Sequence, residues 1–111
     1  MVKHKIHRGE VRLVELNPTI GSEIQKTRPA LVISSEEMNE YLNTIIIVPL
    51  TSTKKGYPTR VSCVFQDKDG ELVLDQIRTL DKSRFVKKLG KMDKETCEDV
   101  HDLLQEIFAF E

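Results

Sequence analysis

The sequence predicts a mainly β domain with helices (α+β), a small barrel-like sheet with helices packed on it. Three observations carry the prediction. Five or six short apolar stretches, broken by turn residues, fill the first three quarters of the chain. Only two segments have helical spacing, and the firmer one lies at the C-terminal end. No linker, repeat or low-complexity tract divides the 111 residues, so one domain is expected over residues 1–111.

The elements follow in order. Val11–Leu16 reads as a partly alternating strand stopped by Asn17-Pro18. Pro29–Ser34 is a β-branched run with Pro at its first position, where a strand tolerates one. Ser35–Leu42 is a short helix, with a Ser cap and acids in the first turn that suit the helix dipole. Thr44–Leu50 is continuously apolar, which predicts a strand buried on both faces. Thr59–Phe65 and Glu71–Leu80 flank Asp67-Lys68-Asp69-Gly70, whose Asp-Gly predicts a tight hairpin turn. Phe85–Lys91 is a weaker, charged strand suited to a sheet edge. In the last segment Asp93 is placed to cap a helix in which Cys97, Val100, Leu103, Leu104, Ile107 and Phe108 recur at helical spacing.

Composition excludes several classes. With 39% hydrophobic residues and a formal net charge of −1, the chain is neither a disordered tail nor a membrane protein. No apolar run approaches a bilayer span, and the basic start Met1–Lys5 is followed by polar Arg8-Gly9-Glu10 where a signal peptide needs an apolar region. A soluble, cytoplasmic location is therefore expected, with Cys63 and Cys97 as reduced core or near-surface thiols. The small net charge hides a segregation. Gln76–Lys91 carries six basic residues against one acid, while Met92–Glu111 carries seven acids against one base. Charge distribution rather than its total steers a polyanion, although two unlike solvated faces give the same pattern.

Familiar catalytic parts are missing. His4, His7 and His101 stand beside no candidate nucleophile, no His/Cys/carboxylate spacing resembles a metal-ligand set, and neither a Gly-rich phosphate loop nor a GxSxG elbow occurs. Two polar loops remain. Asn17–Arg28 is twelve residues long and ends against Pro29, a length that marks function or disorder in a compact domain. Thr51–Pro58 gathers three hydroxyls, two ammoniums and Tyr57, groups that bind phosphate and stack on bases, or that form a solvated hairpin loop.

The pieces Arg8-Gly-Glu-Val11, Asn17-Pro-Thr-Ile-Gly-Ser-Glu23 and Thr27-Arg-Pro-Ala-Leu-Val-Ile33 resemble the opening of the MazF/PemK/Kid toxins. Val48-Pro-Leu-Thr-Ser-Thr53, Lys55-Gly-Tyr-Pro58 and Leu74-Asp-Gln-Ile-Arg-Thr-Leu-Asp81 agree in order and spacing, so the resemblance covers the chain from about Arg8 to the C-terminal helix. It implies an SH3-like barrel of about five to seven strands with a C-terminal helix. It further implies a homodimeric, sequence-selective endoribonuclease of a type II toxin–antitoxin system, acting on single-stranded RNA and neutralised by a MazE/PemI-like antitoxin. Arg28 falls on the family's catalytic arginine and Thr51 on its catalytic threonine. Ser22 stands where some members have histidine and Val73 where some have arginine, so the chain resembles the Arg/Thr version of the site. Asp75 matches an acidic position at the dimer-proximal end.

Chemistry agrees in kind. Ribose supplies its own nucleophile when its 2′-hydroxyl attacks the neighbouring phosphate, and the protein then aligns the attack and stabilises charge. Arg28 offers a fixed fork of donors to phosphate oxygens, and Thr51 offers one hydroxyl. Arginine is a poor general base, and Glu23 on the same loop is the alternative. The expected substrate contacts are Ser22, Glu23, Ser52, Thr53, Lys54, Lys55, Tyr57, Asp75, Gln76 and Arg78, with no metal or cofactor. The competing expectation is a non-catalytic barrel toxin that binds a protein target such as gyrase, since fold does not fix function. A plain nucleic-acid-binding barrel is a third.

Overall fold

The computed structural model describes residues 5–110, so the basic start over residues 1–4, His4 and Glu111 lie outside it. Seven strands and two helices follow in chain order. They are β1 (Glu10–Glu15), β2 (Thr27–Val32), α1 (Glu36–Tyr41), β3 (Thr44–Thr51), β4 (Arg60–Phe65), β5 (Lys68–Val73), β6 (Arg78–Asp81), β7 (Phe85–Lys91) and α2 (Lys94–Ile107). All pairings are antiparallel, in the order β4-β5-β3-β2-β1-β7, with β6 also on β3.

The long apolar strand is the hub. β3 pairs through Thr44–Ile47 with β6 and through Leu50 and Thr51 with β5, while Ala30–Val32 of β2 run along its other edge. Because side chains alternate across a strand, Ile45 and Ile47 enter one core cluster and Val48 and Leu50 the other. The same alternation sends Leu31 of β2 to one cluster and Ala30 and Val32 to the other. Both faces of β3 are thus buried, as its composition predicts. Truncating fully buried Ile47 or Leu72 to Ala is expected to cost about 2–5 kcal/mol.

The sheet curls as a barrel but is not closed by backbone pairing. Its β4 and β7 ends meet instead through a side chain, with Gln66 Nε2 donating to Leu89 O at 2.9 Å. Three local expectations are corrected. The β4–β5 turn is not at Asp69-Gly70: Gln66 and Asp67 form it, with φ of 52° and 63°, and Phe65 pairs with Lys68. Two successive positive φ values make a turn whose twist matches the strands, and this register outweighs the Asp-Gly preference. Glu71–Leu80 is not one strand, because a 3₁₀ turn over Leu74–Gln76 separates β5 from β6. β2 begins at Thr27 rather than at Pro29, which the sheet accommodates because pairing with β3 starts only at Ala30.

Both helices are capped as their sequences predict. The Ser35 hydroxyl accepts from the Met38 amide, and the Asp93 carboxylate accepts from the Thr96 amide at 2.9 Å. α2 packs Val100, Cys97, Leu103, Leu104 and Ile107 on the cluster that holds Val61, Cys63 and Met92. Phe108 departs from the expected stripe. It is the C-cap residue and is exposed. Both cysteines are free; burial pushes the Cys63 thiol up to about 11 and raises the Cys97 thiol as well.

Candidate functional site

Arg28 and Thr51 are not loop residues. Arg28 is the second residue of β2 and Thr51 the last of β3. The β2–β3 ladder ends at the Ala30–Pro49 pair, and Arg28 and Thr51 lie two residues beyond it, one on each strand. A step of two also keeps both on the same face. The two side chains line one cavity of about 290 Å³ at the end of the barrel. Ser52 and Thr53 line it too, with Leu50, Gly70 and Leu89 as its apolar and backbone wall. Among the described residues Arg28 makes no ion pair, so its guanidinium fork is open to a ligand. The Thr51 hydroxyl accepts from the Thr53 amide at 3.2 Å, which leaves its own hydrogen to donate. Gly70 lies so close that a Cβ there would stand 2.9 Å from Thr51 O.

The other candidates do not line this cavity, and most are occupied. Glu23 is exposed and accepts from the Ile20 amide at 2.7 Å, so it caps its own loop. Gln76 binds that loop to the 3₁₀ turn, accepting from Ile24 N at 2.7 Å and donating to Ser22 O at 3.4 Å. Arg78 donates to Leu16 O at 3.1 Å and so tethers the end of β1. Asp75 accepts from Thr59 and from Arg60 Nε, and these contacts outweigh burial and hold its carboxyl below the usual range. Lys54 and Lys55 are exposed on the loop after β3. Tyr57, on the same loop, is 49% exposed, with the Arg60 guanidinium 4.7 Å from its ring centroid.

Of the histidines, His7 pairs with Glu36 at 2.9 Å and His101 lies exposed on α2, and neither lines the Arg28 cavity. No group of three or more His, Cys, Asp or Glu residues is gathered to hold a metal among the described residues.

Sequence reasoning missed two sets of residues. Phe65, Gln66, Lys68 and Asp69 from the β4–β5 turn wall the cavity beside Arg28 and Thr51. Their placement depends on the register of β4 on β5, which a misplaced turn shifts. Arg60 and Glu71 are the second set, a buried ion pair at 3.2 Å. The available signal was a lone acid in the apolar run from Gly70 to Leu74.

A small β barrel in which an unpaired guanidinium and a hydroxyl line one open cleft offers donors of the kind that suit a phosphoryl or similar oxyanion group. The family model described as the PemK-like, MazF-like toxin of type II toxin–antitoxin systems matches residues 7–108, and the chain belongs to that family. It is 34% identical over 106 residues to endoribonuclease EndoA of Bacillus subtilis (strain 168), covering 90% of this chain and 91% of that one. It superposes with a TM-score of 0.87 on a crystal structure of MazF from Deinococcus radiodurans, at 26% identity over 97% of this chain and all of that one. A MazE–MazF structure from the same organism matches with a TM-score of 0.81, at 26% identity over 98% of this chain and all of that one.

Proposed function

We propose that this chain is the toxin of a type II toxin–antitoxin pair and a sequence-selective endoribonuclease that cuts single-stranded RNA. The observation that carries the reading is that Arg28 and Thr51 line one open cavity, each two residues beyond the Ala30–Pro49 pair. Membership of a toxin family and 34% identity to an endoribonuclease support it. In this reading Arg28 holds two oxygens of the scissile phosphate and stabilises the charge that grows on them. Thr51 donates to the same phosphate. The ribose 2′-hydroxyl attacks, the P–O5′ bond breaks, and the products are a 2′,3′-cyclic phosphate and a free 5′-hydroxyl. Ser52 and Thr53 add hydroxyls within the cleft, while Lys54, Lys55 and Tyr57 take the neighbouring phosphates and bases. Ser22, Glu23, Asp75, Gln76 and Arg78 shape the flanking loops rather than touch the reacting group.

The same reading assigns one domain, a cytoplasmic location, a homodimer and an antitoxin partner of MazE/PemI type. Support for the antitoxin comes from the MazE–MazF relatives. Among the described residues, no helix is long and apolar enough to cross a membrane.

The test uses a short RNA with one 2′-deoxy nucleotide just 5′ of a mapped cleavage site. Cutting at that bond should stop while binding persists, and cleavage of the all-ribo strand should continue in excess EDTA. A 5′-phosphate product, or cleavage of the deoxy strand, would mean hydrolysis by water and would overturn the mechanism. An intact RNA pool after induction, with a protein target captured instead, would favour a non-catalytic toxin.

A further inference from the structure

One buried carboxylate has no part in the reading above. Glu71 is 1% exposed on β5, and in the β3–β5 ladder it is the direct partner of Thr51. Taking an ionised carboxylate out of water is costly unless strong donors surround it. Its donors are the Lys55 amide, 3.2 Å from each oxygen, the Gly56 amide at 3.0 Å, and Arg60 Nη1 at 3.2 Å. Two of them are backbone groups of the loop after β3, so the buried charge grips a loop and not merely a neighbouring strand. Gly56 takes φ of +66° there, a conformation that suits glycine. Arg60 is itself 9% exposed at its side chain, reaches Asp75 with Nε at 3.2 Å, and carries the Tyr57 ring.

We propose that Glu71, through the two loop amides and Arg60, is a positioning residue that presents Tyr57 as a preformed stacking ledge for one base of single-stranded RNA. The proposal rests on the endoribonuclease reading. An exposed tyrosine on a free loop must be ordered when it binds, and that cost is removed when the loop is already held. Arg60 at 4.7 Å from the ring centroid and the Lys55 ammonium at 5.8 Å further fix its tilt, while Tyr57 as a whole stays 49% exposed and so offers surface to a base.

The experiment compares Glu71→Gln, Glu71→Asp and Tyr57→Ala in the full chain. Steady-state kinetics use an RNA oligonucleotide with a mapped cleavage site, and trypsin cleavage after Lys54 and Lys55 is timed without RNA. For Glu71→Gln, KM should rise about tenfold, the effect of losing one stacked base, with kcat within about twofold of the parent. Trypsin should cut the loop about tenfold faster, because release of the two amides opens it to the protease. Glu71→Asp should recover part of both effects. Tyr57→Ala should repeat the rise in KM and add little in combination with Glu71→Gln. Unchanged KM and unchanged loop proteolysis in Glu71→Gln would overturn the proposal, as would a fall in kcat at constant KM. Should Glu71→Gln fail to fold, a normal KM in Tyr57→Ala overturns it, since that exposed side chain is removable without loss of the core. Should the parent protein cut no RNA, the endoribonuclease reading fails. Loop proteolysis then decides separately whether Glu71 holds the loop.

Discussion

Gly70→Ala is the most informative single substitution, because two effects of opposite sign meet at one atom. Gly70 sits inside β5, where replacing glycine by alanine ordinarily stabilises by about 0.4–1 kcal/mol through the unfolded chain. Here the added Cβ would lie 2.9 Å from the Thr51 carbonyl oxygen and 3.2 Å from Leu50 Cδ1. The first of these is backbone, held in the β3–β5 ladder at Leu50 and Thr51, and it cannot rotate away. Overpacking of that kind costs about 1–3 kcal/mol, so the net effect is a loss of about 1–2 kcal/mol. In urea the midpoint should fall by about 1 M, given a slope of about 1–3 kcal/mol per M. Activity should suffer more than stability. Relief of the clash moves the end of β3, and a shift of about 1 Å at a positioning group costs about a hundredfold in rate. Gly90→Ala is the control: its Cβ would meet the end of the Phe65 ring at 3.1 Å, and a ring edge can turn. The assay is urea unfolding by circular dichroism with cleavage of a short RNA on the same preparations. A Gly70→Ala protein as stable as its parent and cutting at the parental rate would refute the placement of Thr51 O against β5.

Arg28→Lys should lose most cleavage, about a hundredfold or more in kcat, with RNA affinity reduced far less, because a point charge cannot hold two phosphate oxygens in a plane. Thr51→Val should cost less, and single-turnover rates on one oligonucleotide rank the two. Acid should unfold the protein below the ordinary carboxylate range. Burial alone would raise the Glu71 and Glu10 carboxyls, but hydrogen bonds from loop amides and arginines outweigh it and hold both below their ordinary 4.5. Carboxyls depressed in the fold contribute stability above their unfolded values, and it is lost as pH falls through the folded ones. Urea midpoints should therefore be flat near neutrality and drop below about pH 4.5, and Glu71→Gln should flatten that drop.

How far the sequence could be read depended on how local each cause is. Helix caps, apolar periodicity and the doubly buried β3 are written in neighbouring residues, and each was legible. Arg28 and Thr51 were legible only through a family pattern. Nothing within ten residues of either one states that Ala30 faces Pro49 and so brings them together. The β4–β5 turn was misplaced because two non-glycine residues, Gln66 and Asp67, accept positive φ, while the Asp-Gly next to them lies in the strand. Glu71 opens the strand predicted over Glu71–Leu80, and its residue type does not announce that it is buried. Its burial follows from amides and a guanidinium that arrive from residues 55 to 60, a relation between elements that no local window contains.

An unclosed sheet has a liability of its own: a free edge is a template for another strand, and proteins that express such edges at high level risk growing into fibrils. β7 ends the strand order here, and it carries Lys87, Lys88 and Lys91 along seven residues. Its ladder with β1 slips register twice, between Val11 and Arg12 and again between Leu13 and Val14. Irregular spacing denies an incoming strand a long run of matched donors and acceptors, and stacked lysines of successive copies would repel. Solubility at the edge is thus secured by positive charge, which a polyanion would neutralise. Neutralising Lys87 and Lys91 together should leave the fold intact and make the protein precipitate on concentration.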